Sequence, residues 1–282
     1  MVVQWYPGHM NKAKNQIQER LKLVDIVLEI RDARLPLSSR NPVLDQIINN
    51  KPRIIILNKA DLADPKLTQA WLDYFNNQKQ PSIALDAQHH NKLQQIRTII
   101  EQTLQAKINK YQRNGVKNYV IRTMCIGIPN VGKSTILNKL VGKNIAVTGN
   151  KPGVTKNQNW LKAKNNLELL DTPGVLWPKI EDEQIGLKLA LSGAVKDQLV
   201  NLEDLAIFAL QFWQQNYSDL LLTKYHLSEA ELQLTPSDLL IHLTNKWGVQ
   251  EDYERAAQRV IQDVRQGNLG QYTLDEVVND QL

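Results

Sequence analysis

A phosphate-binding loop is the clearest chemical pattern in the sequence, with the form G-x-x-x-x-G-K-S from Gly127 to Ser134. Glycine is needed in such a loop because backbone N–H groups close around phosphate oxygens, where a Cβ atom would interfere. A helix expected to begin at Lys133 adds its N-terminal dipole to this anion site. We expect Lys133 to contact the β- and γ-phosphates and the Ser134 hydroxyl to ligate Mg²⁺.

A second motif, Asn58-Lys59-Ala60-Asp61, has the residue types that select guanine among the bases. The Asp61 carboxylate can accept hydrogen bonds from guanine N1–H and N2–H₂ together, and a wrong base would leave it unpaired. In this interpretation Asn58 reaches the other edge of the base, and the stem of Lys59 packs on the base plane. A surface turn is the alternative, and the apolar strand-like run before the motif argues against it. The motif predicts GTP and GDP as ligands.

Asp86 and Ala87 follow the next apolar run, residues 82–85. In GTPases this position usually carries Ser-Ala-Lys, and the alanine N–H meets the guanine oxygen. Asp86 replaces the serine here, and we expect both residues to lie at the base.

A third motif, Asp171-Thr172-Pro173-Gly174, ends another apolar run. We expect Asp171 to hold Mg²⁺ through water and the Gly174 N–H to sense the γ-phosphate. Thr155 lies between the two phosphate motifs and is the candidate Mg²⁺ ligand of switch I. A loop threonine without a ligand role is the alternative for Thr155.

The motifs occur in an unusual order, because in an ordinary GTPase the phosphate loop precedes the base motif. The order here is a cyclic permutation of the usual one. Apolar strand-like runs alternate with amphipathic helical patterns, which predicts an α/β fold with a mostly parallel sheet flanked by helices. From about residue 181 the pattern is helical throughout. We therefore expect a circularly permuted P-loop GTPase domain over residues 1–178 and a smaller all-helical domain over 179–282.

Charge is unevenly distributed along the 282 residues. Residues 1–199 carry 29 Lys and Arg against 16 Asp and Glu, whereas residues 200–282 carry 5 against 13. A basic surplus of 13 in the first part favours a polyanionic partner, with RNA the leading candidate. A solvated basic face is the alternative interpretation.

Composition also excludes several classes of protein. The single cysteine, Cys125, rules out an internal disulfide and a cysteine-based zinc site. No apolar stretch reaches the roughly 20 residues that a bilayer span needs. The N-terminus lacks the apolar region of a signal peptide, so we expect a cytoplasmic protein without membrane contact.

The segments Gln4-Trp5-Tyr6-Pro7-Gly8-His9-Met10, Asp32-Ala33-Arg34-Leu35-Pro36, Ser39-Arg40-Asn41-Pro42 and the loop from Gly127 to Thr135 resemble those of the RbgA/YlqF family. These circularly permuted GTPases act late in the assembly of the large ribosomal subunit, and the resemblance covers essentially the whole chain. It implies the large subunit and its ribosomal RNA as partners, an RNA-binding role for the helical domain, and a monomer when free. Related GTPases of the small subunit carry an OB-type domain and a Cys/His zinc site. This chain has one cysteine and no room for such a domain, which disfavours that branch.

Val175 stands after Gly174, where many GTPases place a glutamine that orients water. An aliphatic side chain cannot do this, so we expect slow intrinsic hydrolysis and another group at the water. The family resemblance implies that this group is His9; a structural or RNA-contacting histidine is the alternative. Asn130 resembles the asparagine of potassium-stimulated GTPases, whose carbonyl helps to hold K⁺ near the phosphates, where K⁺ supplies positive charge.

The sequence thus predicts a GTP-hydrolysing factor whose activity ribosomal RNA stimulates. Two alternatives stay open: a nucleotide-gated RNA-binding factor with incidental hydrolysis, and a signalling GTPase with a protein partner, against which the basic surplus argues. The predicted catalytic residues are His9 and Lys133, and the predicted metal ligands are Ser134, Thr155 and Asp171 for Mg²⁺ and Asn130 for K⁺. The predicted nucleotide contacts are Asn58, Lys59, Ala60, Asp61, Asp86, Ala87, Asn130, Val131, Gly132, Lys133, Ser134, Thr135 and Gly174.

Overall fold

The computed structural model describes residues 3–4, 7–89, 93–143, 160–163, 166–177, 179–249 and 251–277, with side chains from residue 14 onward. The chain divides into two compact units. One, which we call the sheet unit, contains Gln4–Lys179 and Thr273–Leu282. The other, the helical unit, contains Ile180–Tyr272 together with Met1–Val3. No helix in the described part of the chain is long and apolar enough to cross a membrane.

The chain up to residue 180 contains eight strands and six helices in its described residues. Its strands are β1 (Val3–Gln4), β2 (Ile26–Asp32), β3 (Arg53–Asn58), β4 (Ser82–Ala84), β5 (Ile121–Ile126), β6 (Trp160–Ala163), β7 (Leu167–Leu170) and β8 (Lys179–Ile180). Its helices are α1 (Pro7–Leu21), α2 (Pro42–Ile48), α3 (Pro65–Asn77), α4 (Leu93–Thr103), α5 (Gln105–Arg113) and α6 (Lys133–Val141).

Six of these strands form one sheet in the order β4-β3-β2-β5-β7-β6, parallel except for β6, which runs antiparallel to β7. All seven residues of β2 are buried, as a parallel strand covered on both faces requires. Helix starts are fixed locally: the Asn41 and Asp64 side chains cap α2 and α3, each followed by a proline at the first helical position. The predicted mostly parallel α/β sheet is confirmed.

Local patterns missed two features of the sheet unit. The short edge strand β6 was not predicted, because its four residues, Trp-Leu-Lys-Ala, show little alternation. The helical pattern that ends at residue 113 is divided between two helices, α4 and α5, which meet at the buried Leu104. Neither difference moves a motif.

The helical unit contains α7 (Glu183–Leu191), α8 (Leu202–Asn216), α9 (Ser218–Tyr225), α10 (Glu229–Leu232), α11 (Pro236–Lys246) and α12 (Tyr253–Arg265), with a 3₁₀ turn at Asp197–Leu199. Trp213 on α8 is fully buried, and its Nε1 donates to the Leu269 carbonyl at 3.2 Å. Its ring packs edge-on against Tyr272 at 4.6 Å. Arg265 binds Asp197 at 2.6 Å and two carbonyl oxygens at the end of α7, so it connects α12 to α7 and to the 3₁₀ turn.

The last described residues correct the predicted extent of the helical domain. Residues 273–277 belong to the sheet unit, although the sequence placed 179–282 in one helical domain. The Asp275 carboxylate accepts hydrogen bonds from Leu37 N at 2.9 Å, Ser38 N at 2.7 Å and Ser38 Oγ at 2.6 Å. Leu274 N donates to the Arg34 carbonyl at 2.8 Å. We call residues 273–277 the tail; its partners lie more than 200 positions earlier, so no local pattern indicates the contact.

Candidate functional site

The predicted motifs lie at one edge of the sheet, whatever their order along the chain. Strands β2, β3, β4, β5 and β7 are parallel, and each is followed at its carboxyl end by a motif or by its supporting residues. Such an edge is where open α/β sheets bind their ligands. The structure brings to this edge Asn58, Lys59, Ala60, Asp61, Asp86, Ala87, Asn130, Val131, Gly132, Lys133, Ser134, Thr135, Asp171 and Gly174.

The phosphate loop joins β5 to α6, as predicted. Lys133 is buried, and its Nζ donates to the carbonyl oxygens of Gly127 at 3.1 Å and Ile128 at 2.7 Å. Burial lowers the pKa of Lys133 to about 8, although the nearby Asp171 acts in the opposite direction. A phosphate oxygen would offer this ammonium group a charged acceptor in place of the two carbonyls.

Asp171 and Ser134 meet beside this lysine, and their donor set suits a hard cation. The Ser134 hydroxyl hydrogen-bonds the Asp171 carboxylate, while burial raises the pKa of Asp171 to about 6 against the charge of Lys133. Asp171 Oδ1 is buried without a hydrogen-bond partner among the described residues. A buried carboxylate oxygen with no partner, next to a hydroxyl, fits Mg²⁺, which takes oxygen ligands. Thr155, the other predicted ligand, lies outside the described residues.

The segment after Asp171 lies directly against the phosphate loop. A Cβ at Gly174 would be 2.8 Å from Pro129 Cα and 3.1 Å from Lys133 Nζ, so only glycine fits there. Val175 is buried; its N–H donates to the Gly127 carbonyl at 3.2 Å, and its own carbonyl accepts from Asn41 Nδ2 at 2.7 Å. The position that carries glutamine in many GTPases is therefore an apolar residue with both main-chain groups bound.

Asn58 makes two hydrogen bonds that its motif does not predict. Its Nδ2 donates to the Val131 carbonyl at 2.7 Å, and its Oδ1 accepts from the Ala87 N–H at 3.1 Å. Asn58 thus ties the phosphate loop to the loop of residues 86–89, which we call the base loop. The Ala87 N–H expected to meet guanine is directed at Asn58. A Cβ at Gly132 would be 2.2 Å from Asn58 Nδ2, which explains a glycine with φ 94° at that position.

Lys59 is held by a network that the Asn58–Asp61 motif does not predict. Its Nζ donates to Asp32 Oδ2 at 2.9 Å. Arg34 donates to the same carboxylate from Nε at 2.9 Å and from Nη2 at 2.8 Å. Asp32 and Arg34 are both buried. Burial acts to raise the pKa of Asp32, but the charges of Arg34 and Lys59 hold it well below its usual range. The network therefore fixes the Lys59 side chain beside Asp32 and Arg34.

Asp86 stabilises the base loop through contacts that the sequence did not predict. Its carboxylate accepts from the N–H groups of Gln88 at 2.8 Å and His89 at 3.2 Å, and also contacts the His89 ring. Asp61 lies next to this pair, half-buried. Burial and then the charge of Asp86 raise the pKa of Asp61. Guanine N–H groups would relieve both effects, because they donate to the Asp61 carboxylate.

Comparisons with known proteins agree with this arrangement. Residues 122–274 match the family model described as a 50S ribosome-binding GTPase. A ribosome biogenesis GTPase A from Priestia megaterium is 47% identical, covering 98% of this chain and 97% of that protein. The chain belongs to the ribosome biogenesis GTPase A family. It is a GTPase that binds guanine nucleotide, and the resemblance stated from the sequence is confirmed.

More distant relatives and solved structures extend the match. The mitochondrial ribosome-associated GTPase 1 of Bos taurus is 35% identical, over 97% of this chain and 89% of that protein. The crystal structure of GNP-bound YlqF from T. maritima is 27% identical, with a TM-score of 0.64, over 94% of this chain and 97% of that chain. The match of the family model begins at β5, after the base motif Asn58–Asp61. The circularly permuted GTPase fold is confirmed.

Two predicted residues cannot be placed by their side chains. His9 lies in the first turn of α1, but its side chain is outside the described part of the structure. Thr155 is not among the described residues at all. The roles of both residues stay predictions.

Proposed function

We propose that this GTPase binds the large ribosomal subunit through its RNA, acts late in the assembly of that subunit, and hydrolyses GTP faster when bound. The printed names of its relatives and of the matching family support ribosome binding. The basic surplus of residues 1–199 supports an RNA contact. In this proposal the protein acts in the cytoplasm and is a monomer when free.

The proposed nucleotide contacts follow the geometry of the site. Asp61 reads guanine, Lys133 binds the β- and γ-phosphates, and Ser134 and Asp171 hold Mg²⁺. Asn58 acts by joining the two loops. When bound, Mg²⁺ would neutralise charge on the phosphates. Thr155 stays the proposed switch I ligand.

The buried Val175 carries the proposal that hydrolysis depends on the ribosomal particle. Its side chain is aliphatic and both its main-chain groups are bound within the protein, so it cannot orient the attacking water. The free protein should therefore turn over slowly. We assign the water to His9, in the first turn of α1, and propose that binding to RNA brings it to the phosphates.

Single-turnover hydrolysis of GTP with and without purified large subunits tests this function. We expect strong stimulation by the particle, and His9→Ala should reduce the stimulated rate about a hundredfold or more, as loss of a group that handles the water does. His226→Asn is the matched control, since His226 ends α9 with φ 52°, which asparagine tolerates. Stimulation that survives His9→Ala would refute the role of His9.

The same assay separates the alternatives. A nucleotide-gated RNA-binding factor would bind the particle with a GTP analogue, yet its hydrolysis rate would not respond. A signalling GTPase would not bind the particle in any nucleotide state.

Asn130 is the proposed K⁺ contact, and its backbone has a left-handed φ of 62° between the two ends of the phosphate loop. Replacing K⁺ by Na⁺ at constant ionic strength should slow hydrolysis if K⁺ binds there. Equal rates in both salts would contradict this assignment.

A further inference from the structure

The sheet unit has a recess of about 470 Å³ at the edge opposite the nucleotide site. It lies at the amino ends of β2, β3 and β5, against α5. Because β2 runs from Ile26 to Asp32, about 20 Å of strand separates the two edges. We call the recess the basic groove; the lining residues that matter here are Lys22, Lys51, Lys107, Tyr111, Tyr119 and Arg122.

The Asp25 carboxylate connects three of the residues that form the wall of the basic groove. Asp25 accepts hydrogen bonds from Lys107 Nζ at 2.6 Å, Tyr119 Oη at 2.6 Å and Arg122 N at 2.8 Å. Burial acts to raise the pKa of Asp25, but these three hydrogen bonds outweigh it and hold the pKa below its ordinary value. Asp25 therefore fixes the wall and stays ionised there.

The remaining charge in the groove is positive. Lys51 donates to a backbone carbonyl at 2.8 Å. Burial lowers the pKa of Lys51, and the charge of Lys107 lowers it further, while the charge of Asp25 is too weak to offset these two effects. Arg122 pairs with Glu168 at 3.1 Å, but its side chain is half exposed, and such pairs are weak and screened by salt. Four cations against the single carboxylate lining the groove leave a site that attracts anions.

Aromatic and apolar surface accompanies these cations. The rings of Tyr111 and Tyr119 stack at 4.4 Å with an angle of 14° between them, and Tyr111 stays 37% exposed. Leu23 and Val120, at the rim, are 46% and 39% exposed. Cations for phosphates beside aromatic rings for bases are the combination that binds single-stranded nucleic acid. An acidic protein segment would use the cations but not the tyrosine pair.

We propose that the basic groove binds the phosphate backbone of unpaired RNA, with a base against the tyrosine pair. This inference rests on the proposed function, because it gives the sheet unit its own contact with ribosomal RNA. The groove lies at the far edge from the nucleotide, so binding there is independent of GTP or GDP.

Fluorescence anisotropy with a labelled twelve-residue oligouridine tests the proposal on the full-length protein. The variant Lys22→Gln/Lys51→Gln/Arg122→Gln removes three cations, and Lys66→Gln/Lys79→Gln/Lys162→Gln removes three exposed lysines elsewhere on the sheet unit. Each lost phosphate contact reduces the salt slope by about 0.7, so three contacts should cost roughly a hundredfold in affinity at 0.1 M salt. GDP affinity should stay unchanged in both variants.

The outcomes separate the groove from the proposed function. Equal oligouridine binding by the two triple variants, with large subunits still bound, would overturn the groove proposal alone. Wild-type protein that binds neither oligouridine nor large subunits would overturn both. A twelve-residue polyglutamate that competes as well as oligouridine would also reject RNA as the occupant.

Lysine acetylation of the wild-type protein gives a second measurement that does not depend on the folding of a variant. Bound oligouridine should protect Lys22 and Lys51 and leave Lys66 reactive, with GTP or GDP alike. Equal reactivity with and without oligouridine would contradict the proposal.

Discussion

Replacement of Asp275 by alanine is expected to destabilise the sheet unit by about 3–5 kcal/mol. The Asp275 carboxylate is buried and accepts three hydrogen bonds from Leu37 and Ser38, of which the two from Ser38 are buried. Removing the acceptor leaves those donors without their partner, and each buried donor left unpaired costs about 1–3 kcal/mol. The Trp71 side chain, which donates to the Asp275 carbonyl at 3.3 Å, keeps its partner in the variant.

Thermal unfolding and hydrogen exchange measure this effect. A loss of this size should lower Tm by roughly 6–20 °C, and the amides of Leu37 and Ser38 should exchange faster. Glu276→Ala is the matched control, since Glu276 is the exposed neighbour in the same tail, and surface substitutions usually change stability by less than about 0.5 kcal/mol. Asp275→Asn, which keeps an acceptor oxygen, should lie between the two. Equal Tm values for Asp275→Ala and Glu276→Ala would refute the role given to the tail.

Two further predictions concern the phosphate loop and the basic groove. Gly132→Ala should reduce GDP affinity more than tenfold in a titration, because its Cβ would meet Asn58 Nδ2 at 2.2 Å; Gly142→Ala, also at positive φ but with open space, should keep its affinity. Asp25 has a depressed pKa, so its contribution to stability is present above about pH 4 and is lost as pH falls further. In urea unfolding, Asp25→Asn should therefore differ from wild type at pH 6, and the difference should shrink as the pH falls below about 4, whereas the exposed Asp73→Asn should differ little at either pH.

The nucleotide motifs were predictable because each one is local. A glycine-rich loop between an apolar strand and a helix has the same sequence pattern at any position in the chain, and a buried parallel strand is a continuous apolar run. The sheet edge then follows from the parallel strands alone. Circular permutation changes none of these local patterns, so the unusual order of the motifs did not hide them.

The role of Asn58 was not predictable, because it depends on contacts between loops. Its partners, Val131 and Ala87, lie 73 and 29 positions away, and their approach is set by strand packing. Asp86 shows that short-range contacts can be missed too. A carboxylate in place of a serine suggested a base contact, but in the structure this carboxylate accepts hydrogen bonds from N–H groups of its own turn. Sequence patterns thus predicted which residues come together at this edge of the sheet, but not the hydrogen bonds that Asn58 and Asp86 make within the protein.

The structural role of the loop of residues 33–41 was not predictable either. Its sequence resembles that of the family, but no local pattern indicates what the loop contacts. In the structure, Leu274 N donates to the carbonyl of Arg34, and Asp275 binds the N–H groups of Leu37 and Ser38. Asn41 binds the Val175 carbonyl at 2.7 Å. One short loop therefore holds both the tail and the segment after the Asp171 motif.

These contacts give the permuted order a structural consequence. The chain leaves the sheet unit for the helical unit after Lys179, shortly past Val175, and it returns at Thr273 as the tail. Both connections of the helical unit are thus fixed near their ends by the same loop, whose Arg34 also holds Asp32. If Val175 moves when the nucleotide changes, its hydrogen bond to Asn41 must either break or pull Asn41 with it. The tail already holds the same loop on its other side.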